Sequence, residues 1–268
     1  MGNYPAVVRK RVFYGAGALL ARLVVLLCLL GYATLSCANE HMAELNAGFD
    51  RWLAEYLVQN DDGINRLPYG RIPKDSLDAY VNAMAALEPS AMSQDEAFSY
   101  WVNLYNSLII RLVLREQPAS SIRQIKPGLT GLLAGGPWKQ DQVVVEGKSL
   151  SFDDIEHGIL RVQWREPRVH FVLNCASLGC PNLPAVSIKP AQLEQQLTEA
   201  AAAFLQHPRA IRLEQKTLVV NQIFNWFAED FGRNETEVLD WIAQFKGQPL
   251  PAHASVRYEY DWALNRAP

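Results

Sequence analysis

The sequence predicts an α+β fold: a single helix-rich domain with a small, mostly antiparallel sheet, behind an N-terminal signal segment. Three observations predict it. Apolar residues recur at helical spacing in several segments, most clearly from Phe98 to Leu112. Short apolar runs bounded by turn residues, such as Gln142 to Glu146 and Thr217 to Val220, read as strands. No repeat, low-complexity tract or long linker divides the chain.

The elements follow in order. Residues 1–38 hold Arg9, Lys10, Arg11 and Arg22 and no acidic residue. Leu23 to Leu35 is an uncharged run, followed by the small exit residues Ser36-Cys37-Ala38. That is the layout of an export signal cut after Ala38, with a lipidated or uncleaved anchor as the alternative. A span from Phe13 to Leu35 would place Arg22 near mid-bilayer, which is costly. The expected location is therefore periplasmic or extracellular, with a possible membrane tether. Without the leader the net charge moves from −3 to −7. Nucleic acid is not an expected partner.

Residues 39–89 read as a helical region. Leu45, Phe49, Trp52, Leu53 and Tyr56 form one stripe, and a second helix runs from Asp75 or Ser76 to Leu87. The main domain is expected over 90–268. Ser93 and Glu96 have capping-box spacing and open a long helix to about Glu116. A glycine-rich loop over residues 126–140 lacks the Lys-Ser/Thr ending of a phosphate loop and reads at most as a flap. No cofactor is expected. Asp153 or Asp154 can cap a helix from Ile155 to Val162. Val169 to Leu173 reads as a short strand, and Cys175 to Pro184 as a compact loop. A helix from Pro190 to Leu205, a hairpin across Glu214-Gln215-Lys216, two helices and a final strand from Ser255 complete the chain.

Three segments carry the reactive side chains. They are Trp101-x-Asn103-x-Tyr105-Asn106, Asp154 to Arg161 with Glu156 and His157 at its centre, and His170-Phe-x-x-Asn174-Cys175-Ala-Ser177-x-x-Cys180-Pro181. With the closing Tyr260-Asp261-Trp262-Ala263-Leu264-Asn265, they resemble the DUF547 domain family, a family named for its unknown function. The resemblance covers roughly residues 90–230 plus the tail. The family itself resembles papain-like cysteine hydrolases, which implies a cysteine nucleophile.

The residues alone leave three readings. In the first, Cys175 at a strand end is the nucleophile of a hydrolase or acyltransferase acting on an amide or thioester. His157 is then the expected base. An extended 170–175 would put His170 on the opposite face, roughly 16 Å along the strand. Asn106 and Glu156 would orient the imidazole. Asn103, Arg161, His170 and Ser177 would bind a small-molecule or peptide substrate. In the second, Cys175 and Cys180 form a disulfide in a non-catalytic binding or structural domain. In the third, Cys175, Cys180 and His hold zinc, although the spacing is not diagnostic.

Overall fold

The computed structural model describes residues 40–125, 136–251 and 254–268. The expected leader and most of the glycine-rich loop lie outside these residues. Among the described residues, no helix is long and apolar enough to cross a membrane. Residues 42–268 form one compact unit. The architecture is α+β.

Helix α1 covers residues 40–56. A two-residue hairpin, β1 (Val58–Gln59) with β2 (Asn65–Arg66), leads to α2 (Asp78–Ala85). The central element is α3 (Gln94–Glu116). Its capping box forms as the sequence predicts: Ser93 N donates to Glu96 Oε2 at 2.8 Å, and Glu96 N donates to Ser93 Oγ at 3.4 Å. Gln117 ends the helix in the left-handed region, at φ 46°. Every residue from Ala97 to Arg111 is buried. The helix is therefore enclosed on all sides, and its polar residues Asn103 and Asn106 sit inside the protein. Such groups persist only when hydrogen-bonded.

β3 (Asp141–Val145) and β4 (Lys148–Ser151) pair antiparallel. The segment after β4 is a π-helix, Asp154–Leu160, running into α4 (Arg161–Trp164). Asp154 bonds back to Ser151 N and Oγ. The expected strand at Val169 to Leu173 is instead a 3₁₀ turn, Pro167–Phe171. Pro167 presets its first position, and the Glu166 carboxylate caps Arg168 N at 3.0 Å. A short apolar run buried on all sides carries no period that separates strand from helix.

The second half packs α5 (Leu193–Gln206) and α8 (Glu235–Lys246) with the sheet β5 (Ile211–Glu214), β6 (Thr217–Asn221) and β7 (Ser255–Glu259). Between β6 and α8 lie the short helices α6 (Ile223–Trp226) and α7 (Ala228–Phe231). β5 and β6 form the expected hairpin, but β7 joins β6 in parallel. Among the described residues, the pairing is thus spread over three small sheets.

Two apolar clusters result. One surrounds α3 and takes in Phe49 and Leu53 of α1. The other lies among α5, α6, α8 and β6. The reactive segments meet where these clusters adjoin.

Candidate functional site

The site grows from the turn after the 3₁₀ segment. Asn106 on α3 holds that turn from inside: its Nδ2 donates to Val172 O at 2.8 Å, and its Oδ1 accepts from Asn174 N at 2.9 Å. Asn174 folds the next residues around itself, accepting from Ala176 N and donating to Pro181 O. Ala176 takes φ 57°, a conformation L residues adopt rarely, and the Asn174 bond helps fix it. The chain tail closes the loop from outside. Leu178 N donates to Ala263 O, Gly179 N to Asp261 O, and Asn265 N to Ala176 O.

This frame sets Cys175 on a cleft of about 220 Å³. Its sulfur meets Cys180 Sγ at 2.7 Å, Tyr260 OH at 2.8 Å and Ser177 Oγ at 3.1 Å. Burial pushes the Cys175 thiol up. Hydrogen bonds with Cys180, Ser177 and Tyr260 outweigh it and hold the thiol below its ordinary value. Burial, then the neighbouring Cys175, push Cys180 well above. Of the two sulfurs, Cys175 is the one whose neighbours favour the thiolate.

Both cysteines are free thiols, so the disulfide of the second reading is not formed. Nor is the zinc site assembled: among the described residues, no three His, Cys, Asp or Glu side chains are grouped to hold a metal.

The histidines exchange their expected places. Because residues 167–171 coil, His170 and Cys175 line the same cleft. His170 is buried, and its ring stacks on Phe227 with centroids 4.2 Å apart. Nε2 lies 2.6 Å from Asp230 Oδ2, and Nδ1 lies 3.6 Å from Glu156 Oε1. Burial alone would lower its pKa; the bonds to Asp230 and Glu156 raise it instead. Glu156 also accepts from Tyr105 OH at 3.0 Å. Asp230 is opposed by burial but held down to about 2 by His170 and Arg161.

His157 lines the same cleft with 38% of its side chain exposed. Its neighbours are Arg161 at 3.3 Å and Asp153 at 3.8 Å, rather than Glu156 or Asn106. Neither imidazole touches the Cys175 sulfur, whose polar partners are those above.

Other expected residues have different duties. Asn103 donates to Ile188 O and accepts from Ile188 N, so it pins a loop away from the cleft. Arg161 binds Asp230 through two nitrogens and Glu229 through one, and is not free for a substrate carboxylate. Ser177, expected to bind substrate, bonds to the Cys175 sulfur instead. Sequence reading missed Asp230 and Tyr260 as site residues. Tyr260 belongs to the closing Tyr-Asp-Trp-Ala-Leu-Asn motif, which points to it; Asp230 sits in a helical stretch with no motif around it.

Residues 89–205 match the model of the family described as "Protein of unknown function, DUF547". The chain carries a DUF547 domain. No curated protein and no solved structure matches the chain. The DUF547 span supplies Tyr105, Glu156, His170 and Cys175. Asp230 and Tyr260, which complete their surroundings, lie beyond it.

Proposed function

We propose that this DUF547 protein is a cysteine-dependent hydrolase or acyltransferase acting on an amide or thioester. The observation that carries the reading is a half-buried thiol, lowered by three hydrogen-bonding neighbours, in one cleft with a histidine clamped by two carboxylates. A thiolate attacks; a thiol does not. In the first step the Cys175 sulfur bonds to the acyl carbon and the C–N or C–S bond breaks. The leaving group takes a proton from the His170–Glu156 pair. In the second step water cleaves the acyl-sulfur bond and returns the proton to that pair, releasing a carboxylic acid. An amine or alcohol in place of water makes the reaction a transfer. His170, rather than His157, is the acid-base residue, because its two carboxylate partners favour the protonated ring.

Incubation with phenyl thioacetate followed by peptide mapping tests this reading. Acetyl label on Cys175, absent in Cys175→Ala and slowed in His170→Gln, is the expected result. Label spread over Cys180 or surface amines, with no Cys175 adduct, would remove it. One observation favours a second reading, a non-catalytic binding domain: among the described residues, no imidazole touches the sulfur. That domain would bind ligand in the cleft and acquire no label.

The leader supports an exported protein, with the cleft facing the periplasm or exterior. The N terminus of the protein recovered from cell fractions checks this: it is expected to begin after Ala38.

A further inference from the structure

The walls of the cleft are informative about what enters it. Trp138, Trp262 and Tyr260 form a continuous run. Trp138 and Trp262 have centroids 6.4 Å apart, Trp262 and Tyr260 4.6 Å. Trp226 closes the side, 5.5 Å from Trp262 and 4.8 Å from Tyr260. One end of the run is Tyr260 OH, 2.8 Å from the Cys175 sulfur. The other is Trp138, whose carbonyl accepts from Asp153 N at 3.0 Å. Asp153, this aromatic run and Cys175 line one and the same cleft.

The charges are one-sided. Asp153 and Glu156 line the cleft, and among the described residues no lysine or arginine does. Glu156 is engaged by His170 and Tyr105. Asp153 has a looser neighbourhood: His157 stands 3.8 Å away, and 31% of the Asp153 side chain is open. Burial raises its carboxyl, against the fields of His157 and Lys139. Aromatic faces also attract cations, and Trp262 already takes the Arg123 guanidinium 5.0 Å from its ring centre.

We propose that the acyl part of the substrate carries a protonated amine beside a flat apolar group, as in amides and thioesters of aromatic amino acids with a free amino group. The assignment rests on the hydrolase reading above, and it deepens that reading by naming the substrate class. Asp153 receives the ammonium, the Trp138–Trp262–Tyr260 face receives the ring, and the acyl carbon falls at Cys175. An anionic acyl group would meet two carboxylates in the lining, with Arg123 behind the Trp262 ring and His170 committed to its own carboxylates.

The test is binding, measured by tryptophan fluorescence in full-length Cys175→Ala, so that chemistry does not enter. The probes are L-phenylalaninamide, its N-acetyl derivative and 3-phenylpropionate, at mildly acidic pH where the free amine is protonated. The expected order is cation over neutral by about tenfold, with the anion weakest. Asp153→Asn should remove the cation preference while keeping the neutral probe's affinity. Equal binding of cation and neutral probe, or a preference that survives Asp153→Asn, overturns the proposal, as does failure of all three to bind. An acetyl adduct on Cys175 without cation preference sinks this inference and spares the hydrolase. Cation preference without an adduct keeps the ligand class and sinks the hydrolase.

Discussion

Substituting Tyr260 by Phe removes one hydroxyl and leaves the ring and its stacking in place. The hydroxyl bonds to the Cys175 sulfur, so its loss should raise the thiol's pKa. Alkylation by iodoacetamide at neutral pH should slow several-fold, with little change once the thiol is fully ionised. Asp230→Asn probes the histidine. In the folded state the Asp230 carboxyl is depressed, so its contribution is full above its unfolded value, roughly pH 4, and is lost as pH falls through about 2. His170 is raised, so its contribution is full below roughly pH 6.5 and is lost as pH rises through its folded value. Wild type should therefore exceed Asp230→Asn in urea midpoint by more at about pH 5 than at about pH 8. An equal difference at both would mean that the pair carries no charge-dependent stability.

At the scale of elements, the tail strap is the sensitive point. A methyl added at Gly179 would fall 2.7 Å from Asp261 N and 2.9 Å from Asp261 O, which are backbone atoms. Gly179→Ala should cost about 1–3 kcal/mol and, by lifting Tyr260, slow Cys175 alkylation. Asn106→Ala leaves Val172 O and Asn174 N unpaired inside the protein and should cost roughly 2–4 kcal/mol in denaturant unfolding. The sequence made α3 readable through its cap and long apolar repeat, and the β5–β6 hairpin through its turn. It misplaced Val169 to Leu173, because four apolar residues buried on all sides look alike in a strand or a tight helix. That one misreading reversed the histidines: an extended segment turns His170 away from Cys175, and a coiled one brings it round. Asn103 and Asn106 share a helix face as their spacing indicates, yet their partners are backbone groups far along the chain, which local spacing does not reveal.

At the scale of the molecule, the cleft lies where two apolar clusters adjoin, and the family match covers only part of what builds it. A fragment of residues 89–205 would lack Phe49 and Leu53 from the first cluster, and Asp230 and Tyr260 from the site. It should show no cooperative thermal transition, whereas residues 40–268 should melt cooperatively by near-ultraviolet circular dichroism. The sequence singled out the Cys175 loop and the His157 segment, and both line the cleft. Asp230 stayed hidden because its role depends on packing between clusters. The proposed chemistry requires Cys175 to be a free, activated thiol. Its alkylation rate by iodoacetamide, followed against pH in the untreated protein and mapped by peptide mass, tests this most directly. The expected result is a Cys175 adduct whose rate titrates clearly below the ordinary thiol value of about 8.5. Titration at or above that value, or an adduct that appears only after chemical reduction, would contradict it.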